Sequence, residues 1–215
     1  MEMNTYKPKI IVFDFDGVVV DSNRLKRDAW FNIFHPALGI APEEIEESLE
    51  RVRETRFDIL RDIFLKKGVA EDSLEQLINE HAEKFQAYVQ QGMKFMPNAV
   101  ETLVALSGRF PLYINSATPE EPLRESVRRL GLSKHFKGVF GRPADKVENL
   151  QVILKSENAE PHELLFVGDG ENDRAAAKDT GCHFIGVQNE FNGWGKSSDF
   201  PIVKNISELL NIVEV

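Results

Sequence analysis

Two aspartates, Asp14 and Asp16, stand two residues apart in the stretch DFDG at residues 14–17. The apolar run before them, residues 10–13, is β-branched and aromatic, which predicts a strand buried on both faces. If the backbone stays extended past that strand, both carboxylates point to one side, and their repulsion needs a cation or a shared proton to relieve it. The alternative is a solvated turn rich in Asp and Gly.

A second acidic stretch, GDGEND at residues 168–173, follows the apolar run 164–167. Asp169 or Asn172 could simply cap the helix that the next residues predict, but capping needs one such residue, and this stretch supplies three acids and an amide. Oxygen ligands suit a hard cation such as Mg²⁺. No group of His and Cys residues has the spacing of a zinc site. The oxygen-rich stretch therefore makes Asp169 and Asp173 candidate Mg²⁺ ligands.

Polar groups also follow two other apolar runs. Ser116, in the stretch NSAT after residues 112–114, offers a hydroxyl and neighbouring backbone N–H groups that suit a phosphate oxygen. Its alternative role is an ordinary helix N-cap. Lys146, in the stretch RPADK after residues 138–140, could neutralise a phosphoryl group and restrain a nucleophile, although most lysines are solvated surface groups.

The arrangement of these runs predicts how the groups are brought together. Helical patterns separate the short apolar runs, which indicates an α/β fold with three layers and a doubly wound parallel sheet. In such a sheet ligands bind at the carboxyl ends of the strands, where all four polar stretches fall. The predicted strands are residues 10–13, 112–114, 138–140, 164–167 and 184–187.

Residues 20–91 contain no convincing strand and predict an inserted α-helical cap, with residues 1–19 and 92–215 as the catalytic core. Two apolar stripes of helical period lie within it, and we expect the second to continue the first on about the same face. The core resumes at residues 96–99, which predict a helix with Pro97 in its first turn. The stripes are Ile45, Leu49 and Val52, then Phe57, Leu60, Ile63 and Phe64.

Composition narrows the possible partners. The net charge of −9 and the pI of about 5.2, without clusters of Lys and Arg, argue against nucleic-acid binding. Cys182 is the only cysteine, so no intrachain disulfide is possible, and a reducing cytoplasm is expected. No stretch predicts a signal peptide or a membrane span. We expect a cytoplasmic monomer or homodimer that meets neither membrane nor nucleic acid.

The order of these stretches resembles the haloacid dehalogenase superfamily of hydrolases along essentially the whole chain. The stretch 14–18, DFDGV, is similar to the first motif of that family and is the most specific match. Ser116 resembles the second motif, Lys146 the third, and Asp169 with Asp173 the fourth. The helical insertion is similar to the family's cap between the first and second motifs, and the resemblance implies a Rossmann-like core.

The resemblance implies a phosphatase that works through an aspartyl-phosphate. Asp14 would attack phosphorus, and Asp16 would protonate the leaving oxygen and then deprotonate the attacking water. Ser116, Ala117 and Lys146 would bind the transferring phosphoryl group.

It also implies Mg²⁺ as the cofactor. The ion would lie between the carboxylate of Asp14, the backbone carbonyl of Asp16 and the carboxylate of Asp169. Asp173 would orient a water molecule on the metal or support the ligands from outside.

One position departs from many relatives, which carry Lys-Pro in the third motif where this chain has Arg142-Pro143. Lys146 fits the branch in which the lysine begins the following helix, so we expect Lys146, with Arg142 as the alternative. Arg53 and Arg56, three apart on a predicted cap helix, are candidate substrate-binding residues, or else ordinary surface charges.

The acid at Asp16 favours phosphate-ester chemistry, because dehalogenase members lack an acid there and phosphonate-cleaving members carry a small residue. The expected substrate is a small phosphorylated metabolite, such as a sugar phosphate or a phosphoglycolate-like compound. One alternative is a phosphohexose mutase of the β-phosphoglucomutase kind, which keeps the same intermediate. A non-enzymatic alternative is a receiver-type phospho-acceptor module. In such a module, however, the acceptor lies on a middle strand and there is no helical insertion, whereas here the two aspartates follow the first strand.

Overall fold

The computed structural model describes residues 5–52, 56–195 and 198–214, without the side chains of residues 37 and 38. The described residues fall into two compact units, one from Met1–Asp21 with Lys94–Val215 and one from Ser22–Met93. We call them the sheet unit and the helical unit. The division falls within two residues of the boundaries expected from the sequence, and the roles of catalytic core and cap stay predictions.

The sheet unit contains a six-stranded parallel sheet in the order β5-β4-β1-β6-β7-β8, and a short antiparallel pair, β2 with β3. The Rossmann-like α/β class is confirmed, and each predicted strand is present. β2, β3 and β8 were not expected, because strands of two residues carry no periodic signal. β2 also lies at the start of residues 20–91, where no strand was expected. The strands are β1 (Ile10–Phe13), β2 (Val20–Asp21), β3 (Lys94–Phe95), β4 (Leu112–Pro119), β5 (Gly138–Arg142), β6 (Leu164–Gly168), β7 (His183–Val187) and β8 (Ile202–Val203).

The central strand β1 is buried along its whole length, as its continuous apolar run predicts. Phe13 lies in register with Ile114 of β4 on one side and with Val167 of β6 on the other. Alternate residues of β1, Ile10 and Val12, pack into a core cluster with the helices on one face of the sheet. This register fixes where the three strands end relative to one another.

In the described part of the sheet unit, four α-helices connect the strands. Two of them, α8 and α9, supply buried residues to the same cluster as Ile10 and Val12. The helices are α6 (Ala99–Ser107), α7 (Glu120–Arg129), α8 (Lys146–Glu157) and α9 (Glu171–Thr180).

The prediction for the start of α6 was wrong. The helix begins at Ala99, so Pro97 precedes it instead of lying in its first turn. Asn98 adopts a left-handed conformation with φ 58°, which a right-handed helix cannot include, and its carbonyl accepts the backbone N–H of Thr102 at 3.1 Å. Asparagine tolerates this conformation better than most residues. The preference of Asn98 for it outweighs the preference of Pro97 for the first turn of a helix.

The helical unit packs around one apolar cluster in which Ile45, Leu60 and Phe64 are buried. The two apolar stripes belong to separate helices, and Val52 lies just beyond the end of the first, so a single continuous face was an oversimplification. In the described part of the chain, no helix combines the length and apolar character that crossing a membrane requires. The helices are α1 (Asn23–Ala29), a π-helical turn (Trp30–Phe34), α2 (His35–Leu38), α3 (Pro42–Arg51), α4 (Arg56–Lys66) and α5 (Glu71–Gly92).

Candidate active site

The site lies at the carboxyl ends of β1 and β6, which are neighbours in the sheet. Asp14 follows β1 directly, and its backbone N–H donates to the carbonyl of Val167 at 2.8 Å. Asp169 likewise follows β6 directly. Two stretches that are about 150 residues apart in the chain therefore end side by side, as the parallel topology predicts.

Three carboxylates meet at this edge. One oxygen each from Asp14, Asp169 and Asp173 lies within 4.8 Å of the other two. Asp14 and Asp173 are buried, and Asp169 is half-buried. The carboxylate of Asp16 is not one of the three. Asp16 was expected to bind the metal through its backbone carbonyl, and that contribution stays a prediction.

Lys146 places a positive charge among these acids. It is the first residue of α8, and its Nζ lies 2.9 Å from Oδ2 of Asp14 and donates to Oδ1 of Asp173. Only 8% of its surface is exposed. Arg142 is instead exposed at the end of β5. Of the two candidates for the third motif, Lys146 is the one that contacts the acids.

The backbone around Lys146 is held from two directions. Asp145 caps α8 by accepting the backbone N–H of Glu148 at 2.8 Å, while the Glu148 side chain accepts the N–H of Asp145 at 2.9 Å. The side-chain amide of Asn115, on β4, donates to the carbonyl of Lys146 at 2.9 Å. These contacts fix where α8 begins and so where its first side chain enters the site.

Burial raises the pKa of Asp14 to about 8, although the ammonium group of Lys146 acts in the opposite direction. Three nearby carboxylates contribute to this rise, those of Asp173, Asp169 and Asp16. Burial lowers the pKa of Lys146, but its contacts with Asp14 and Asp173 outweigh that effect and leave the pKa above the ordinary range. One lysine therefore only partly offsets the negative charge of the cluster.

The donor set fits a divalent cation. Asp14, Asp169 and Asp173 offer carboxylate oxygens close enough together to share one ion, and hard cations prefer such oxygens. A cation there would also favour the ionised form of Asp14, which burial and neighbouring acids oppose.

Asp16 and Ser116 lie at the same edge and are both buried. The hydroxyl of Thr118 donates to Oδ2 of Asp16 at 3.0 Å, which orients this carboxylate. The Oγ of Ser116 accepts the backbone N–H of Thr118 at 3.2 Å. Because β4 continues to Pro119, Ser116 lies within a strand and is not a helix N-cap, and Ala117 beside it is exposed.

Similarity to known proteins identifies the family of this chain. The family model for haloacid dehalogenase-like hydrolases matches residues 8–181. The chain belongs to the haloacid dehalogenase-like hydrolase family. It is 28% identical to the phosphoglycolate phosphatase of Vibrio parahaemolyticus over 232 residues, which covers 96% of each chain. The expectation of a hydrolase of this family is confirmed.

Solved structures of similar fold cover nearly the whole chain. A haloacid dehalogenase-like family hydrolase from Streptococcus pneumoniae superposes with a TM-score of 0.70 at 20% identity, covering 98% of this chain and 99% of that one. A predicted phosphoglycolate phosphatase from Haemophilus somnus gives 0.73 at 19% identity, covering 95% and 97%. At these identities the likeness concerns the fold.

Arg53 and Arg56 are the candidate substrate-binding residues of the predicted cap. Arg53 lies outside the described residues. The guanidinium of Arg56 lies over the rings of Phe57 and Phe85, at 5.0 and 5.8 Å from their centroids. A substrate-binding role for either arginine stays a prediction.

Sequence reasoning missed the side chains that hold the acids in place. Thr118 belongs to the same stretch as Ser116, so its proximity to Asp16 had a signal in the spacing. Asn189 and Asn192 donate to Asp169. The sequence indicated this only weakly, because all it shows is that both residues come shortly after β7, the strand next to β6.

Gly168 leaves the space that Asp173 occupies. A Cβ at residue 168 would lie 2.4 Å from Cβ and Cγ of Asp173, which is fully buried and cannot swing away. We expect Gly168→Ala to lower the free energy of unfolding by about 1–3 kcal/mol through overpacking. Urea denaturation measures it.

Gly108→Ala is the matched control, because its Cβ would meet only the carbonyl oxygen of Ala105, at 3.8 Å. Equal stability of the two variants would contradict the close packing of Asp173 against β6.

Proposed function

We propose that this protein is a Mg²⁺-dependent phosphatase that hydrolyses a small phosphorylated metabolite through an aspartyl-phosphate on Asp14. The observation that carries the proposal is the contact of Asp14 with Lys146, in a cluster with Asp169 and Asp173. A buried carboxylate with a cation on one side and a donor set for a second cation is suited to approach an anionic phosphoryl group. Family membership supports the same chemistry.

In the first step, a carboxylate oxygen of Asp14 attacks phosphorus and the ester bond to the leaving oxygen breaks. Asp16 gives that oxygen a proton. The hydrogen bond from Thr118 holds the Asp16 carboxylate while it acts. Lys146 and the hydroxyl of Ser116 stabilise the charge on the phosphoryl oxygens.

In the second step, water attacks the phosphorus of the aspartyl-phosphate. Asp16, now ionised, accepts a proton from that water, and the bond from phosphorus to Asp14 breaks. Inorganic phosphate leaves, and both carboxylates return to their starting forms. A divalent cation held by Asp14, Asp169 and Asp173 would reduce the repulsion between the nucleophile and the anionic substrate.

The proposed substrate class is a sugar phosphate or a phosphoglycolate-like compound. Relatives that match along nearly the whole chain are named phosphoglycolate phosphatases, including that of Escherichia coli K12 at 27% identity. The acidic chain argues for a small substrate rather than a nucleic acid. We place the reaction in the cytoplasm. A chain with one cysteine forms no intrachain disulfide, which fits a reducing compartment.

The central test is phosphate release from a panel of phosphometabolites in the presence of Mg²⁺. We expect one or more compounds to release inorganic phosphate, EDTA to stop the release, and added Mg²⁺ to restore it. Asp14→Asn should abolish turnover, because an amide cannot act as the nucleophile. Asp179→Asn, on the exposed surface of α9, is the matched control and should keep wild-type activity.

Phosphate release that survives in Asp14→Asn would refute the nucleophile. Formation of a phosphate isomer without release of phosphate would identify a mutase in place of a phosphatase. A stable phosphoprotein that neither releases phosphate nor transfers it would favour the phospho-acceptor alternative.

Lys146 and Arg142 can be separated by the same assay. Lys146→Met removes the charge beside Asp14, and we expect kcat/KM to fall about 10³-fold or more, since charge stabilisation of a transferring phosphoryl group is worth that much in related chemistry. Arg142→Met should change kcat/KM by less than about threefold, because its side chain is exposed. Circular dichroism checks that both variants fold. The reverse order of effects would assign the third motif to Arg142.

A further inference from the structure

The loop that follows β7, residues 188–195, contacts Asp169 through two side-chain amides. We propose that Asn189 is a positioning residue that orients the Asp169 carboxylate for the divalent cation, an inference that rests on the proposed metal dependence. Nδ2 of Asn189 donates to Oδ2 of Asp169 at 2.6 Å. This contact joins residues 20 positions apart.

The orientation of the Asn189 amide is determined by its other end. Its Oδ1 accepts the backbone N–H of Phe191 at 2.8 Å and of Asn192 at 3.0 Å. An amide oxygen that accepts two N–H groups leaves its NH₂ group to face the acid. Asn189 therefore presents a donor, and not an acceptor, to Asp169.

Asn192 holds the backbone of the same acid. Its Nδ2 donates to the carbonyl of Asp169 at 3.0 Å and to that of Val187 at 2.8 Å. Its Oδ1 accepts the backbone N–H of Trp194 at 3.1 Å. Asn189 and Asn192, which we call the asparagine clamp, thus fix both the side chain and the main chain of Asp169.

The clamp rests on an aromatic cluster that anchors its loop to the sheet unit. The ring of Trp194 packs edge-on against Phe184 of β7 at 6.0 Å and against Phe200 at 5.0 Å between centroids. Arg174 of α9 lies 5.0 Å from the centroid of Phe200 and pairs with Asp199 at 3.1 Å. A loop held at these points is a firm support for a hydrogen bond to a metal ligand.

The physical effect of the clamp follows from the charge of its target. An N–H donor stabilises the ionised carboxylate and selects one rotamer of Asp169, while the carboxylate keeps lone pairs for a cation. A ligand that is already oriented loses less entropy when the ion binds. Groups that orient metal ligands in this way typically change metal affinity or activity by about 10–100-fold when they are removed.

The test is direct binding of Mn²⁺ to the full-length protein without substrate, followed by electron paramagnetic resonance. Asn189→Asp keeps an oxygen for the N–H groups of Phe191 and Asn192 but replaces the donor that faces Asp169 with an acceptor. Asn189→Ser is the neutral variant, whose hydroxyl can still accept in the turn but is too short to reach Asp169. We expect the Kd for Mn²⁺ to rise about tenfold or more in both.

Asn205→Asp is the matched control. Asn205 also accepts a backbone N–H, that of Ser207 at 3.0 Å, and caps the short helix Ile206–Asn211, so the substitution makes the same change of charge away from the clamp. It should bind Mn²⁺ as the wild type does. In phosphate-release assays, the two Asn189 variants should need more Mg²⁺ for half-maximal rate and recover most of kcat at saturation, which a general loss of folded protein would not produce.

The outcomes separate this inference from the proposed function. If the wild type binds Mn²⁺ and both Asn189 variants bind it equally or more tightly, the positioning role is overturned while the metal site stands. If the wild type itself binds no Mn²⁺, the proposed metal dependence fails, and the positioning role fails with it.

Discussion

The buried ammonium group of Lys146 is the interaction on which the rest of the site depends. Removing a charge from water costs several kcal/mol unless opposite charges lie against it, and here Asp14 and Asp173 supply them. The pairing is reciprocal, because two buried carboxylates would repel each other without the lysine between them. With Asp169 added, negative groups still outnumber the one positive group, and this imbalance is what suits the edge of the sheet to a second cation.

The topology explains why such a cluster forms at this place. From β1 the chain builds one half of the sheet through β4 and β5, and it then returns to build the other half through β6, β7 and β8. The strand order therefore reverses beside β1, where open parallel sheets bind ligands. Asp14 and Asp169 leave the sheet on the two strands at that reversal, while the start of α8 brings Lys146 to Asp14. Solved structures superpose on this fold at 19–20% identity, so the topology is shared even where most residues differ.

Much of this arrangement could be predicted from local patterns. Continuous apolar runs ending in Asp14 and Asp169 identified buried parallel strands and the acids at their ends. Other features depend on three-dimensional register that a single sequence does not reveal. The sequence already favoured Lys146 over Arg142, but the contact of Lys146 with Asp14 follows from where α8 begins in space. Thr118 and Asn189 became visible only through their contacts. The start of α6 was misplaced because the left-handed Asn98 outweighed the preference of Pro97 for a first turn.

The most direct test of the account is a crystal structure with Mn²⁺ as a stand-in for Mg²⁺, with the ion located by its anomalous scattering. We expect one strong peak between the carboxylates of Asp14 and Asp169, with an oxygen of each at roughly 2.1 Å, the distance that small octahedral cations require. Lys146 should keep its contact with Asp14 beside the ion. A peak bound elsewhere, or no peak at saturating Mn²⁺, would contradict the claim that these distant acids are gathered around one divalent cation.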